Sequence, residues 1–397
     1  MATSSTIVDQ HQTAATPTAL LISLASYSHE AFEQVLTNLS QAFAGQNVVV
    51  ATPDGAPLSS PGLEVVPYNP TAPSAGGWTL TAADFINAQE LARKHQASAV
   101  LQLGSEAQSL DPATLRRLAE AVLDGGNDLA LPRYDLPARA GLVNSAILYP
   151  VSRALFGCSA RFPLAIDLCL SVRMAERLAS TAQKFTAASQ FDALIWPIAE
   201  ACVAGFKIAE VPSGPRILPQ PAAPDFNTLL AQITGSLFAD VDSKAAFWQR
   251  IRVAQSAPTT TSLTDGTFSA DQVQPMLEAF QLAYLNLHEI WSLVLPPQSQ
   301  LGLKRLAAMP ATSFRMPDSL WARIVYDFLL AFRLRTINRG HLLGALTPLY
   351  LAWVASHILL TRTGIDPERH VETVAAAFEA DKAYLVSRWR WPDRFNP

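Results

Sequence analysis

A small set of side chains in the first half of the chain could handle charged and hydroxylated ligands: the carboxylates of Glu106, Asp167 and Asp192, and the guanidinium groups of Arg133, Arg161 and Arg216. Carboxylates orient hydroxyl groups and accept their protons. The planar arginine fork binds phosphate through paired hydrogen bonds. These residues fall near the ends of predicted strands or in connections, which is where ligands gather in open α/β sheets. Each also has a plainer explanation. A lone arginine is ordinarily a surface or ion-pair group, and Asp192 precedes an apolar helical stretch that an aspartate would cap.

The elements that must position these groups follow in order from residue 97. An apolar strand ends in the polar corner Gly104-Ser105-Glu106, a helix starts at Pro112, and a second strand ends at Arg133-Tyr134. Another helix and a third apolar segment after Asp167 complete this central stretch. Ahead of it, residues 19–25, 47–52 and 63–68 read as strands, with helices near 29–44, which Ser28 would cap, and 81–94. The Pro/Gly/Ala/Ser loop over 68–78 is long enough to move over a ligand. Behind the central stretch, 173–180 and 191–204 read as helices, 207–212 as a strand, and 227–254 as a long helix with Leu229, Leu230, Ile233, Leu237 and Phe238 on one side. Strands alternating with helices through short links imply a mostly parallel sheet.

Residues 257–267 are rich in Pro, Thr and Ser and read as the clearest linker. Beyond them nearly everything reads as helix, over 270–294, 300–308, 318–335, 341–360 and 367–388, joined by short turns as in a helical bundle. Arg323 and Asp327 have the spacing of an intrahelical pair. The basic group Arg333, Arg335, Arg339 and His341 could bind a small carboxylate or phosphate, Arg335 and Arg339 being the candidate acceptor ligands; helix ends also attract cations for local reasons. Residues 341–360 lack Asp, Glu, Lys and Arg and are long enough to cross a bilayer. Two histidines and Pro348 inside the stretch, with charged helices on either side, favour the central helix of the helical domain. The closing Arg388-Trp389-Arg390-Trp391-Pro392 reads as a tail docked on the protein.

Taken together, Arg133-Tyr134-Asp135, Tyr149-Pro150, Arg153-Ala154-Leu155-Phe156-Gly157, Arg161 and Pro163 leading to Asp167, Phe191-Asp192, Glu210-Val211-Pro212 and the stretch from Met316 to Trp321 resemble one family. The chain is similar to nucleotide-sugar glycosyltransferases of the GT-A type, particularly mannosylglycerate and glucosylglycerate synthases. The resemblance implies an α/β fold, with a GT-A-like mostly parallel sheet flanked by helices and followed by an α-helical domain. The expected division is a flexible tail over 1–17, the α/β domain over 18–255, a linker over 256–268 and the helical domain over 269–397. The expected function is transfer of a hexose from a UDP or GDP sugar to a small hydroxy-acid or related acceptor, with retention. Asp167 and Asp192 then take catalytic positions, and Ser105, Glu106, Arg133 and Arg161 surround the nucleotide sugar. Where the family carries an Asp-x-Asp metal motif this chain has Gly104-Ser105-Glu106, and Leu218 stands where a His is expected. Glu106 alone is left for Mg²⁺ or Mn²⁺, so the reading leans against metal dependence and assigns the diphosphate charge to Arg133, Arg161 and Arg216. The same losses support a catalytically inactive relative kept as a binding scaffold.

Composition bounds the rest. The 397 residues, 49% hydrophobic and 16% charged, suit a two-domain globular protein. A net charge of −4 offers no basic field for nucleic acid. Cys158, Cys169 and Cys202 lack zinc or disulfide spacing and read as buried thiols of a reducing compartment. The first 17 residues have no apolar core, and a cytoplasmic location is the expectation. A homo-oligomer is compatible with all of this. No P-loop, Gly-x-Ser-x-Gly or His-Glu-x-x-His word occurs, so chemistry of those kinds has no support.

Overall fold

The computed structural model describes residues 18–53, 62–73, 77–220, 225–251 and 273–392. The predicted tail over 1–17 and linker over 256–268 lie outside them. The first part of the chain runs β1 (Leu20–Leu24), α1 (His29–Ala42), β2 (Val48–Thr52), β3 (Glu64–Pro67), α2 (Ala82–Lys94), β4 (Ala99–Leu103), α3 (Pro112–Leu123) and β5 (Leu129–Asp135). It continues through α4 (Tyr149–Phe156), β6 (Asp167–Ser171), α5 (Val172–Thr186), α6 (Pro197–Ala204), β7 (Ile208–Pro215), α7 (Phe226–Ser243) and the short α8 (Ala245–Trp248). The second part is helical: α9 (Val273–Asn286), α10 (His288–Val294), α11 (Pro297–Ala307), α12 (Asp318–Leu334), α13 (Arg339–Arg362) and α14 (Pro367–Arg390).

The seven strands form one sheet in the order β3-β2-β1-β4-β6-β5-β7. Every position of β1, β2 and β4 is buried, as their unbroken apolar runs require of strands covered on both faces. β6 alone is reversed, pairing antiparallel with β4 and with β5. Its first residue, Asp167, therefore starts at the edge where the parallel strands end. Helices α1 and α3 cover one face of the sheet, and α2, α5 and α6 the other. Local signals fix the helix starts: Ser28 caps α1 as expected, Asp111 caps α3 with Pro112 at its first position, and Ser171 caps α5. The result is the GT-A-like α/β fold followed by a helical region.

The third and largest core joins α4, α7 and α8 to the helical part, so the two halves share an interior despite the expected boundary. Trp321 donates from Nε1 to the Ala146 carbonyl at 2.8 Å across this seam. The Trp389 ring of the closing segment meets the buried Trp248 edge to face at 5.0 Å, while Trp391, also expected to dock, is 61% exposed. Helix α13 is long and apolar enough to cross a membrane, but 78% of its most apolar window is buried by its neighbours. Of the three cysteines only Cys169 is fully buried; Cys158 and Cys202 are half-buried.

Several boundaries differ from expectation. The helix predicted over 191–204 starts only at Pro197, because the preceding residues form a turn and a bridge held by α2: Ala82 and Ala83 at its start donate to the carbonyls of Ala193 and Phe191 at 2.9 and 3.1 Å. The helix predicted over 227–254 breaks at Lys244, and the one over 270–294 is offset at Leu287. Arg323 does not pair with Asp327. It binds Asp381 and stacks on the Tyr384 ring, whose hydroxyl donates to Asp327 Oδ1 at 2.6 Å.

Asp327 Oδ2 has no hydrogen-bond partner, and burial pushes this carboxyl up to about 7. A carboxyl raised in the folded state favours the neutral form there, so stability falls as pH rises from the ordinary carboxylate range through about 7. Asp327→Asn, which keeps an acceptor for Tyr384, is expected to melt above the parent at neutral pH and to converge with it in acid. Melting temperature against pH for both proteins checks this.

Candidate functional site

β4 ends at Leu103, and the chain turns sharply through Gly104, Ser105 and Glu106. Gly104 is required: a Cβ there would lie 2.7 Å from the Ile166 carbonyl oxygen. Glu106 takes a left-handed conformation at φ 63°, uncommon for a residue with a side chain. The turn is held from below by Arg216, which follows the end of β7. Its Nη2 donates to the Ser105 carbonyl at 2.6 Å, and its Nη1 donates to the carbonyls of Glu106 and Ile217 and to Ser109 Oγ. Its Nε donates to Asp167 Oδ2 at 2.8 Å, and both side chains are 0% exposed. Asp167 also accepts from the Tyr134 hydroxyl at 2.7 Å and from the Gly104 amide at 3.1 Å. Tyr27, after β1, donates to the Gly104 carbonyl at 2.6 Å.

The electrostatics of this cluster are inward-looking. Burial alone would lower the Arg216 guanidinium, but the charge and hydrogen bonds of Asp167 more than offset it and hold it above its usual value. Burial first, and the Asp167 carboxylate second, push the phenols of Tyr27 and Tyr134 up. Asp167 and Arg216 were expected to face ligand; instead they neutralise each other beneath the corner. The cause is the reversed β6, which delivers Asp167 to a dry position where an unpaired charge would be costly.

Arg161 is buried against a carboxylate of the helical part, with its Nη1 left without a hydrogen-bond partner. Its Nε and Nη2 donate to the two Glu368 oxygens at 3.2 and 3.1 Å, and its Nη2 also donates to Ser145 Oγ at 3.0 Å. Arg153 reaches Glu372 and Glu379 in the same way. These three glutamates lie on one face of α14, a stripe that the helical period would have revealed. Sequence reasoning missed them as partners, since they lie some two hundred residues from the arginines.

What remains at the rim is a smaller set. Ser105 and Glu106 are half-buried, with Glu106 Oε2 accepting from Gln108 at 2.7 Å. Gly77, in the loop ahead of α2, lies beside Ser105, where a Cβ would stand in ordinary contact at 3.6 Å from its Oγ. Arg133 is half-buried, 3.9 Å from Glu210 Oε2, and burial pushes the Glu210 carboxyl up. Asp192 lies in the loop between α5 and α6, exposed, and caps no helix. The strip around Leu80 separates it from the corner: Leu80 donates to the Ala165 carbonyl on one side, and Thr81 bridges to Leu194 on the other. Asp192 opens instead on a cavity of about 480 Å³ whose walls include neither Ser105, Glu106, Arg133 nor Asp167.

Arg335 and Arg339 stand at the turn from α12 to α13. Arg339 stacks on Phe332 at 4.0 Å, and Arg335 takes the left-handed position that ends α12. Asp318, at the other end of this 17-residue helix, is about 25 Å away along the axis. It is the Asp318 end that adjoins the sheet: its carboxylate meets His370 at 3.1 Å, His370 meets His357 at 2.7 Å, and His357 binds the backbone at Ala138 after β5. The two expected acceptor arginines are therefore set apart from the corner.

Among the described residues no group of three or more His, Cys, Asp or Glu could hold a metal. The donor chemistry at the corner does not fit a divalent cation. Among the described residues Glu106 stands without a second open carboxylate at the corner, Asp167 is taken by a guanidinium, and Leu218 packs with apolar neighbours.

No family model matches the chain, and no curated protein matches it. Solved structures similar to it include a mycobacterial protein at 16% identity, covering 63% of this chain and 80% of that one with a TM-score of 0.38. Mannosyl-3-phosphoglycerate synthase from Rubrobacter xylanophilus is similar at 12% identity, covering 60% and 79% with a TM-score of 0.38. A Mycobacterium tuberculosis protein solved in complex with manganese is similar at 14% identity, covering 53% and 95% with a TM-score of 0.29. At these scores the likenesses carry no argument about what this chain binds.

Removing one member of the buried pair leaves the other charged and unpartnered. Arg216→Met is expected to cost roughly 3–5 kcal/mol of stability, and the double variant Arg216→Met, Asp167→Asn to recover part of it. Denaturant unfolding of the two variants beside the parent measures both effects.

Proposed function

We propose that the chain is a GT-A-like nucleotide-sugar transferase that binds a UDP or GDP hexose along the carboxyl edge of its sheet and passes the hexose to a small hydroxylated acceptor. The observation that carries this reading is the reversal of β6. It returns α5 to the carboxyl edge where Ser105, Glu106 and Arg133 stand, with Asp192 on the neighbouring cavity beyond the Leu80 strip. Polar groups at strand ends have no part in the sheet's own hydrogen bonding, and this edge is where α/β folds take ligands. In this reading Ser105 and the corner backbone meet the nucleotide, Arg133 meets a phosphate, and Asp192 orients or deprotonates a hydroxyl. The corner is shaped by Arg216, and no step runs through a metal.

A second reading, a catalytically inactive scaffold that binds the nucleotide, is favoured by a specific observation. Arg216 and Arg161, two cations that could have met the departing diphosphate, are tied to Asp167 and Glu368. Charge building on a leaving diphosphate needs donors aimed at it, and these point elsewhere.

Calorimetric titration of UDP, GDP and their hexoses, with and without Mn²⁺, separates the readings. Metal-independent binding, weakened about tenfold in Arg133→Ala by the loss of a charged hydrogen bond, is the expected result. Sugar product with glycerate then supports transfer, and tight binding without product supports the scaffold. No binding of any nucleotide overturns both.

A further inference from the structure

Three guanidinium groups line one cavity in the helical part. It lies between α11, the segment that joins α11 to α12 and the first two turns of α12, and its volume of about 370 Å³ is in the range of small-molecule sites. Arg305 comes from α11, Arg315 from the joining segment and Arg323 from α12. The two helices pack closely at its edge: a Cβ on Gly302 of α11 would stand 2.9 Å from Leu320 Cδ2 of α12.

The carboxylate in the lining, Asp381 of α14, is already committed. Its two oxygens take Nε and Nη2 of Arg323, the Nε bond at 2.6 Å, and the same guanidinium lies over the Tyr384 ring at 3.5 Å. Arg323 is therefore held in place, yet 29% of its side chain stays exposed, and among the described residues its Nη1 has no hydrogen-bond partner. Arg305 and Arg315 are exposed, and among the described residues neither side chain has a hydrogen bond, an ion pair or a ring contact. A single exposed arginine is ordinarily just solvated. Three in one lining, against one carboxylate, make a local positive field in a chain whose net charge is −4.

The number of forks narrows the ligand class. One carboxylate has two oxygens and answers one guanidinium. A phosphate monoester offers three terminal oxygens and a charge of about −1.5 to −2 at neutral pH, which suits several arginines at once. Met309, Pro317 and Leu320 add apolar surface to the same lining, so the site suits a phosphate that carries an organic body.

We propose that this cavity binds a small phosphorylated metabolite, with Arg305 and Arg315 as free ligands of the phosphate group and Arg323 as the fixed one. None of Ser105, Glu106, Arg133 or Asp192 lines it, so the site stands whether or not the nucleotide-sugar reading holds.

The test is calorimetry and phosphorus NMR on the full chain at low salt, with glycerol phosphate, glucose phosphate and phenyl phosphate as probes. Glucose and succinate serve as uncharged and carboxylate controls, and UDP is titrated in parallel. At least one monoester is expected to bind in the millimolar range or tighter and to weaken as salt is added. Arg305→Ala and Arg315→Ala should each weaken it about tenfold, the effect of one lost charged hydrogen bond. Both variants should melt with the parent, since neither side chain has a partner to lose, and Arg133→Ala should leave monoester binding unchanged. No monoester binding at tens of millimolar overturns the proposal, as does binding that either cavity variant leaves unchanged, or succinate binding as tight as that of the monoesters. UDP binding that Arg133→Ala weakens, without monoester binding, overturns this proposal alone. Monoester binding that Arg315→Ala weakens, without UDP binding, overturns the nucleotide reading alone.

Discussion

The corner after β4 keeps its shape because a guanidinium sits beneath it. Carbonyls of Ser105, Glu106 and Ile217 converge on Arg216, and an apolar side chain in that place would leave those of Ser105 and Ile217 without the donors it supplies. The positive charge then needs a counter-charge in the same dry space, which Asp167 supplies. An ion pair of this kind adds little stability over a well-packed apolar alternative, because both charges have lost their water. Its effect is to specify geometry. The left-handed backbone at Glu106 and the positions of Tyr27 and Tyr134 all follow from bonds to the pair or to the turn it holds.

The same logic, at larger scale, joins the two halves of the molecule. Arg153 and Arg161, in and beside the segment from α4 to β6, reach across to the acidic face of α14, and the core around α4, α7 and α8 is continuous with that of the helical part. The apolar faces of α4 and α7 would be exposed without α12 to α14. A division at the linker is therefore a division of sequence more than of packing. The edge loops after β5 are braced by the helical part through Ala138, His357, His370 and Asp318, with burial pushing the His357 imidazole down to about 3.

The strands and most helices were legible because their signals are local. Unbroken apolar runs announced β1, β2 and β4, and caps such as Ser28 set helix starts. The helix expected over 191–204 failed where the non-local bonds to Ala82 and Ala83 outweighed a helical pattern. At the site, residue type was readable and orientation was not. Asp167, Arg161 and Arg216 were identified as chemically capable, but whether a side chain at a strand end points out to ligand or in beneath a turn depends on the direction of β6. That direction comes from pairing with β4 and β5, which no single segment encodes. The partners Glu368 and Glu372 were hidden by distance along the chain, although their spacing on α14 was visible.

Where positive charge is free and where it is tied decides what such a fold can do. A leaving diphosphate needs cations or aligned dipoles that are not already satisfied, and at this edge Arg216 and Arg161 are neutralised inside the protein. Arg133 faces Glu210 across 3.9 Å, and burial disfavours the charged form of that glutamate. In the proposed reading, chemistry at the edge would draw on Arg133 and the corner after β4. The neighbouring cavity presents both signs of charge, Lys184 and Lys244 beside Asp192, Glu200 and Asp240.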